Sequence, residues 1–238
     1  MTHLKSLAAP KHFPKKDTVF TVSPRPGPHP KKRSIPLLIA VRHLLSYAEN
    51  AKTARKLIRS GKFFVDGKPV RDPRYPLGLM DVLSIPTTGE HYRILIRPGK
   101  GLFLFKIAEP EANFKVCQVL RKNHVRGGGL MIGLHDGRTI LFRAEELERG
   151  RALKILDSVK IGLPDQDLLE TVSLNTDVQA YVHSGARAGL YGKVAKIRRE
   201  VVFPDKPTVT IETTSGTVTT LLRNVMPIGG ETPWITLP

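Results

Sequence analysis

From Phe63 onward the chain is a succession of short apolar runs broken by turn dipeptides, a rhythm that leaves little room for anything but small antiparallel sheets. Residues 63–65 and 68–70 flank Asp66-Gly67; residues 82–85 follow Tyr75-Pro76 and Gly78. Residues 91–96 and 102–107 flank Pro98-Gly99-Lys100-Gly101, and residues 130–134 and 139–142 flank a turn at Asp136-Gly137. Connections this short predict hairpins, because a parallel crossover needs a dozen or more residues. Further strands are expected at 116–120, 158–161, 180–183, 193–197, 209–213 and 217–221, the later ones at the spacing of a small barrel.

Helical spacing is confined to the stretch before this. Leu37, Leu38, Val41, Leu44 and Leu45 recur at three and four and predict one amphipathic helix running to about Asn50. A second helix is expected to open with Thr53 as its N-cap and to stop at Gly61, with Ala54, Leu57 and Ile58 on one side and Arg55, Lys56, Arg59 and Lys62 on the other. Residues 1–34 are different again. Pro10, Pro14, Pro24, Pro26, Pro28 and Pro30 alternate with cations, which prevents a helix, favours extended backbone and leaves almost nothing to bury. This segment reads either as a solvated tail or as an arm that orders when Lys31, Lys32 and Arg33 meet phosphates.

With 238 residues, 40% apolar and 25% charged, the chain can bury the core of one or two domains. Its 38 Lys and Arg against 21 Asp and Glu leave a net charge of +17, and the first 62 residues alone carry 14 basic and 2 acidic side chains. A charge of that size points to a polyanion, with nucleic acid the leading partner. Aromatic residues are only 6% of the chain, and Phe63, Phe64, Phe103, Phe105 and Phe142 fall on strands where core packing is expected, so shape and backbone recognition should outweigh base stacking. The one cysteine, Cys117, cannot form an intrachain disulfide, and without a CxxC pair no zinc ribbon is expected; a reducing cytosol fits. The apolar run 35–41 is interrupted by Pro36 and falls far short of the roughly 20 residues that cross a bilayer. Neither a membrane helix nor a secretory signal is expected, and the chain reads as mature cytoplasmic protein.

Nothing in the sequence assembles a catalytic set. The eight histidines are scattered, His135-Asp136 heads a glycine turn, Cys117 alternates with strand apolars, and Glu145, Glu146, Asp165 and Asp167 read as solvated charges. No cofactor and no metal site are expected.

The run 54–70, from Ala54-Arg55-Lys56-Leu57 through Gly61 to Asp66-Gly67-Lys68-Pro69-Val70, resembles the signature of the alpha-L RNA-binding domain. Met80-Asp81-Val82-Leu83-Ser84-Ile85 resembles its closing strand, with Met80 where glycine is usual. Val182-His183-Ser184-Gly185 followed by Gly189-Leu190-Tyr191-Gly192-Lys193-Val194 is similar to the KOW motif, with Ala188 in place of the usual lysine and Arg187 beside it. With the opening Ala8-Ala9-Pro10-Lys11-His12 and the close at Thr232-Pro233-Trp234-Ile235-Thr236-Leu237-Pro238, nearly the whole chain resembles the small-subunit ribosomal protein family S4e, and its short end is similar to that of archaeal members.

That resemblance implies an α+β, mostly β fold comprising an alpha-L RNA-binding domain, a central β domain and a C-terminal SH3-like (KOW) barrel. The expected divisions are a basic arm at 1–34, the RNA-binding domain at 35–97, the central domain at 98–173, the barrel at 174–224 and a tail at 225–238. It implies a non-enzymatic constituent of the cytoplasmic ribosome, bound to small-subunit rRNA and to neighbouring ribosomal proteins. Carried over to this chain, the RNA-binding face comprises Arg55, Lys56, Arg59 and Lys62, with Lys52 at the helix entrance and Arg42 and His43 extending it. Lys68 and Arg71 flank the hairpin; Arg121, Lys122 and Arg126 lie in a glycine-rich loop at 121–129; Arg187, Lys193, Lys196, Arg198 and Arg199 offer a third contact. Two alternatives stay open: an RNA-modifying enzyme carrying the same module, for which a Rossmann glycine turn or an Arg-Leu-Asp loop is missing, and a KOW-type transcription or translation factor.

Overall fold

The computed structural model describes residues 3–143, 146–214 and 216–238, so Glu145 lies outside the described residues. The chain divides into two compact units, Met1–Lys115 with Gly162–Gln166, and Val116–Ile161 with Asp167–Pro238.

In the first unit β1 (Leu4–Lys5) pairs antiparallel with β2 (Phe20–Thr21), and short 3-10 turns occupy Ser6–Ala8 and Lys31–Arg33. The prolines do exclude a long helix here, but the expectation of nothing to bury is corrected: Ala9 and Phe13 sit in the same apolar core as the helices that follow. β3 (Ile35–Pro36) leads into α1 (Leu37–Ile39), which continues as a single π turn over Ala40–Leu44. The expected helix to Asn50 therefore ends early. The Leu45 N–H donates to the Ala40 carbonyl, a five-residue span, and Ser46 adopts φ +57, which turns the chain out of the helix.

α2 (Ala51–Arg59) starts before the expected position because Asn50, not Thr53, is its N-cap: Asn50 Oδ1 accepts from the Thr53 N–H at 3.0 Å and from the Thr53 hydroxyl at 3.1 Å. β4 (Phe64–Val65) and β5 (Lys68–Pro69) form the expected hairpin, with Asp66 at φ +50 and Gly67 at +76 as the type I′ pair that matches strand twist. β6 (Pro76–Leu77) pairs with β3, while β7 (Val82–Ile85), β8 (Glu90–Arg97) and β9 (Gly101–Ile107) complete a sheet in the order β5-β4-β7-β8-β9, antiparallel throughout. α3 (Glu109–Ala112) follows. Leu37, Leu38, Val41, Ala54, Ile58, Phe63, Leu83 and Ile94 form the core between helices and sheet.

Two of the cations that contribute to the net charge are internal braces. Arg93, fully buried on β8, donates from Nε to Glu111 Oε1 at 3.1 Å and from Nη2 to the Glu111 and Phe114 carbonyls. Lys115 donates to Asp66 Oδ2 at 2.8 Å and Asp81 Oδ1 at 2.6 Å; His29 Nε2 lies 2.9 Å from Asp81 Oδ1, and the Gly78 N–H donates to Asp81 Oδ2. Burial works to raise Asp81, but the adjacent Lys115 and His29 outweigh it and hold that carboxyl below the ordinary aspartate value. Beside it Met80, where the resemblance to the alpha-L domain expects glycine, is fully buried with φ +66.

The second unit holds two five-stranded sheets. β10 (Phe114–His124), β11 (Leu130–Leu134), β12 (Thr139–Phe142), α4 (Leu147–Ala152), β13 (Ser158–Gly162) and β14 (Leu168–Val172) supply the first, in the order β12-β11-β10-β13-β14. Val119, Leu130, Ile132, Phe142, Val159 and Ile161 form its core. β10 runs four residues beyond the expected strand, so the glycine-rich loop contracts to 125–129, closed by the Val125 N–H on the Gly129 carbonyl at 2.8 Å. β15 (Gln179–Val182), β16 (Tyr191–Arg198), β17 (Thr208–Thr213), β18 (Gly216–Leu221) and β19 (Val225–Gly229) form the SH3-like half-barrel, in the order β18-β17-β16-β15-β19. Its KOW-like loop is pinned by the Gly189 N–H on the Val182 carbonyl and the Val182 N–H on Leu190, each at 2.8 Å. No helix among the described residues is long and apolar enough to cross a membrane.

Candidate nucleic-acid interface

α2 buries Ala54 and Ile58, four residues apart, and half-buries Ala51 and Leu57. Lys52, Arg55, Lys56 and Arg59, at spacings of three and four, then fall together on the solvent side, and Lys62 follows just beyond the helix. All five are exposed, and among the described residues none of them is paired with an acid. Arg71 extends this face: it is exposed, and its Nε lies 3.4 Å from where a side chain on Gly61 would begin, at the end of α2. Lys68 is exposed on β5, and Lys31, Lys32 and Arg33 are exposed on their 3-10 turn.

Arg42 and His43 lie in the π turn. Arg42 is half-buried and donates from Nε to the Glu49 carbonyl at 3.1 Å, which fixes its stem. His43 is 3.3 Å from Asp17; burial and then Arg42 lower its pKa, against the opposing pull of Asp17, so the imidazole is neutral at pH 7. Arg42 and His43 of the π turn and Arg55 of α2 line one cavity.

In the second unit Arg121 and Lys122 are on β10 rather than in a loop. Arg121 packs over Gly133, where any side chain would collide with it, and Lys122 Nζ donates to the Arg151 and Leu153 carbonyls, both at 2.8 Å, at the end of α4. Arg126 is exposed on the 125–129 turn. Of the barrel cations, Lys193 pairs with Asp177 at 2.7 Å, Arg198 lies 3.8 Å from Asp205, and Arg199 donates to the Leu174 carbonyl, whereas Arg187 and Lys196 are exposed. Phe63 and Phe142 are buried as expected; Phe64, Phe103 and Phe105 are half-buried.

Sequence reasoning did not bring Cys117, His135 and Asp136 together, although the pairing of Val119 with Leu134 does so; their potential ligand atoms lie within 4.8 Å of one another. Each is engaged by the protein. The Cys117 thiol donates to Asp136 Oδ2 at 3.6 Å, His135 Nδ1 accepts from the Gln118 N–H, and Asp136 accepts from the Arg138 backbone and guanidinium. The arrangement secures the β11–β12 turn.

Comparison with known proteins places this geometry. The S4 domain matches residues 41–83, which contain α2 and the hairpin, the RS4NT domain matches residues 2–32, and Ribosomal family S4e matches residues 88–168. A small ribosomal subunit protein eS4 of Hyperthermus butylicus is 41% identical over 244 residues, covering 99% of this chain and 95% of that one. The chain belongs to ribosomal family S4e. A second relative in the family, from Methanothermobacter thermautotrophicus and also named small ribosomal subunit protein eS4, is 40% identical over 240 residues, with 99% and 96% of the two chains covered. The crystal structure of the 30S ribosomal protein S4e from Thermoplasma acidophilum superposes with a TM-score of 0.70 at 26% identity, over 85% of this chain and 99% of that one. As a family member the chain is a structural constituent of the small ribosomal subunit, and its RNA-binding S4 domain is the one built around α2.

Proposed function

We propose that the exposed cations of α2, continued by Lys62, Lys68 and Arg71, grip the phosphate backbone of small-subunit rRNA. The chain acts there as an architectural clamp, among neighbouring ribosomal proteins in the cytoplasm, and performs no chemistry of its own. The observation that carries this reading is one helix face with Lys52, Arg55, Lys56 and Arg59 exposed and, among the described residues, without an acidic partner, inside the segment matching the S4 domain. Arginine's planar fork orients on phosphate or a base edge, while lysine attracts as a point charge, so Arg55 and Arg59 set register and the lysines add affinity. Lys31, Lys32, Arg33, Arg42, Arg121 and Arg126, all accessible, contribute further phosphate contacts, and Lys122 serves chiefly the packing of its own sheet.

The test is binding of the full chain to transcribed small-subunit rRNA. Reversal of Arg55 and Arg59 to Glu is expected to weaken binding at least about 10-fold; reversal of the exposed Glu146 and Glu148 to Lys is not. Equal losses in the two double variants would overturn the assignment. Methyl transfer or uridine isomerisation on that rRNA by the purified chain would overturn the architectural reading.

A further inference from the structure

Between β2 and the two helices lies a cavity of about 250 Å³ whose apolar floor and phenyl ring the phosphate grip leaves unused. Its floor is apolar, made by Leu38 and Ile39, and its rim carries Arg42 and His43 from the π turn, Arg55 from α2 and Phe20 from β2. Phe20 is 54% exposed, with its ring tilted against that of His3 at 5.6 Å between centroids. We propose that this cavity receives one unpaired base of the RNA held on α2, with the base against Phe20 and its flanking phosphates on Arg42 and Arg55. This rests on the RNA-binding reading of α2 and adds to it a site for a single extruded nucleotide.

Three features of the cavity select that occupant. Its volume is below the 300–1,000 Å³ range of drug-sized pockets, which suits one planar ring system and excludes a base pair or a peptide helix. Its rim is cationic while its floor is apolar, so the ligand must have an apolar face and a negative frame. Arg55 belongs both to the rim and to the exposed face of α2, so the cavity is continuous with the phosphate track. The π turn makes this possible: the widened turn sets consecutive Arg42 and His43 both on the cavity, and such turns recur at functional positions.

The experiment combines binding of full-length chain to transcribed small-subunit rRNA with ultraviolet crosslinking of the same complex, mapped to residue and nucleotide. Phe20→Ala is expected to weaken binding about 10-fold, the scale of losing one base stack, with an unchanged salt slope because no charge is lost. Phe20→Trp is expected to bind as the natural chain does, and the crosslink is expected to join Phe20 to a single nucleotide. Binding by Phe20→Ala within about 2-fold of the natural chain, or a crosslink from Phe20 to another protein in assembled subunits, would overturn the proposal. Arg59, which does not line the cavity, separates the two readings: if Arg59→Glu weakens binding and Phe20→Ala does not, the helix face stands and the base site falls. If Arg59→Glu binds normally, the helix face itself is wrong.

Discussion

Lys115 and Asp81, 34 residues apart in sequence, meet at 2.6 Å inside the first unit, where both side chains are only 1% exposed. Asp66 and His29 close the group, so two carboxylates share one ammonium and one imidazole away from water. Removing one partner strands the others. Asp81→Asn is expected to cost about 3–5 kcal/mol of stability, read from urea unfolding of the full chain. The pH dependence follows from the lowered pKa: the contribution of Asp81 is complete above its unfolded value of 3.8 and is lost as pH falls below that value toward the lower folded one. Acid unfolding of the natural chain should steepen below about pH 4, and the Asp81→Asn chain should lack that component.

Asn50 holds the first turn of α2 through two bonds to Thr53. Asn50→Ala is expected to lower stability by about 1 kcal/mol and to raise amide exchange over residues 51–54. Unchanged exchange there would show that the cap contributes nothing to the helix that presents the cations.

Much of the first unit was legible in the sequence because the signals were local. Asp66-Gly67 announced its hairpin, the Ala54 and Ile58 spacing separated the buried from the cationic side of α2, and the turn residues around Gly78 and at 98–101 marked β7 to β9. The rest depended on turn geometry or on partners distant in the chain. Leu44 and Leu45 match helical spacing, yet the π turn and Ser46 end the helix, and Leu44 is exposed. Thr53 and Asn50 are both good caps, and only the geometry of the turn decides which accepts the hydrogen bond. Arg93 and Lys115 carry the same letter-level charge as Arg55 and Lys56, but Glu111, Asp66 and Asp81 draw them inside. The proline-rich segment contributes Ala9 and Phe13 to a core that its composition concealed.

Met80 combines full burial with a left-handed backbone. Met80→Gly relieves about 1–2 kcal/mol of backbone cost and forfeits about 2–5 kcal/mol of side-chain packing. The packing loss is larger, so the variant is expected to unfold at lower urea concentration than the natural chain, despite restoring the glycine usual in related domains.

Arg59 and Lys122 should behave oppositely. Arg59→Gln is expected to leave stability unchanged and to reduce the slope of log affinity against log salt by about one. Lys122→Gln withdraws a donor from the Arg151 and Leu153 carbonyls and is expected to cost about 1 kcal/mol of stability with little effect on that slope. Measuring both variants for unfolding and for salt-dependent RNA binding checks the assignment of one to RNA and the other to its own sheet.

The unpaired cations of α2 also bear on the fate of the chain before assembly. Lys52, Arg55, Lys56 and Arg59 repel one another along a nine-residue helix with no acid in its first turn. Any polyanion that binds this face relieves that repulsion and stabilises the folded chain by mass action. With rRNA as that polyanion, the free chain is expected to be cut faster than the RNA-bound chain in limited proteolysis, and reversal of Arg55 and Arg59 to Glu is expected to abolish the difference.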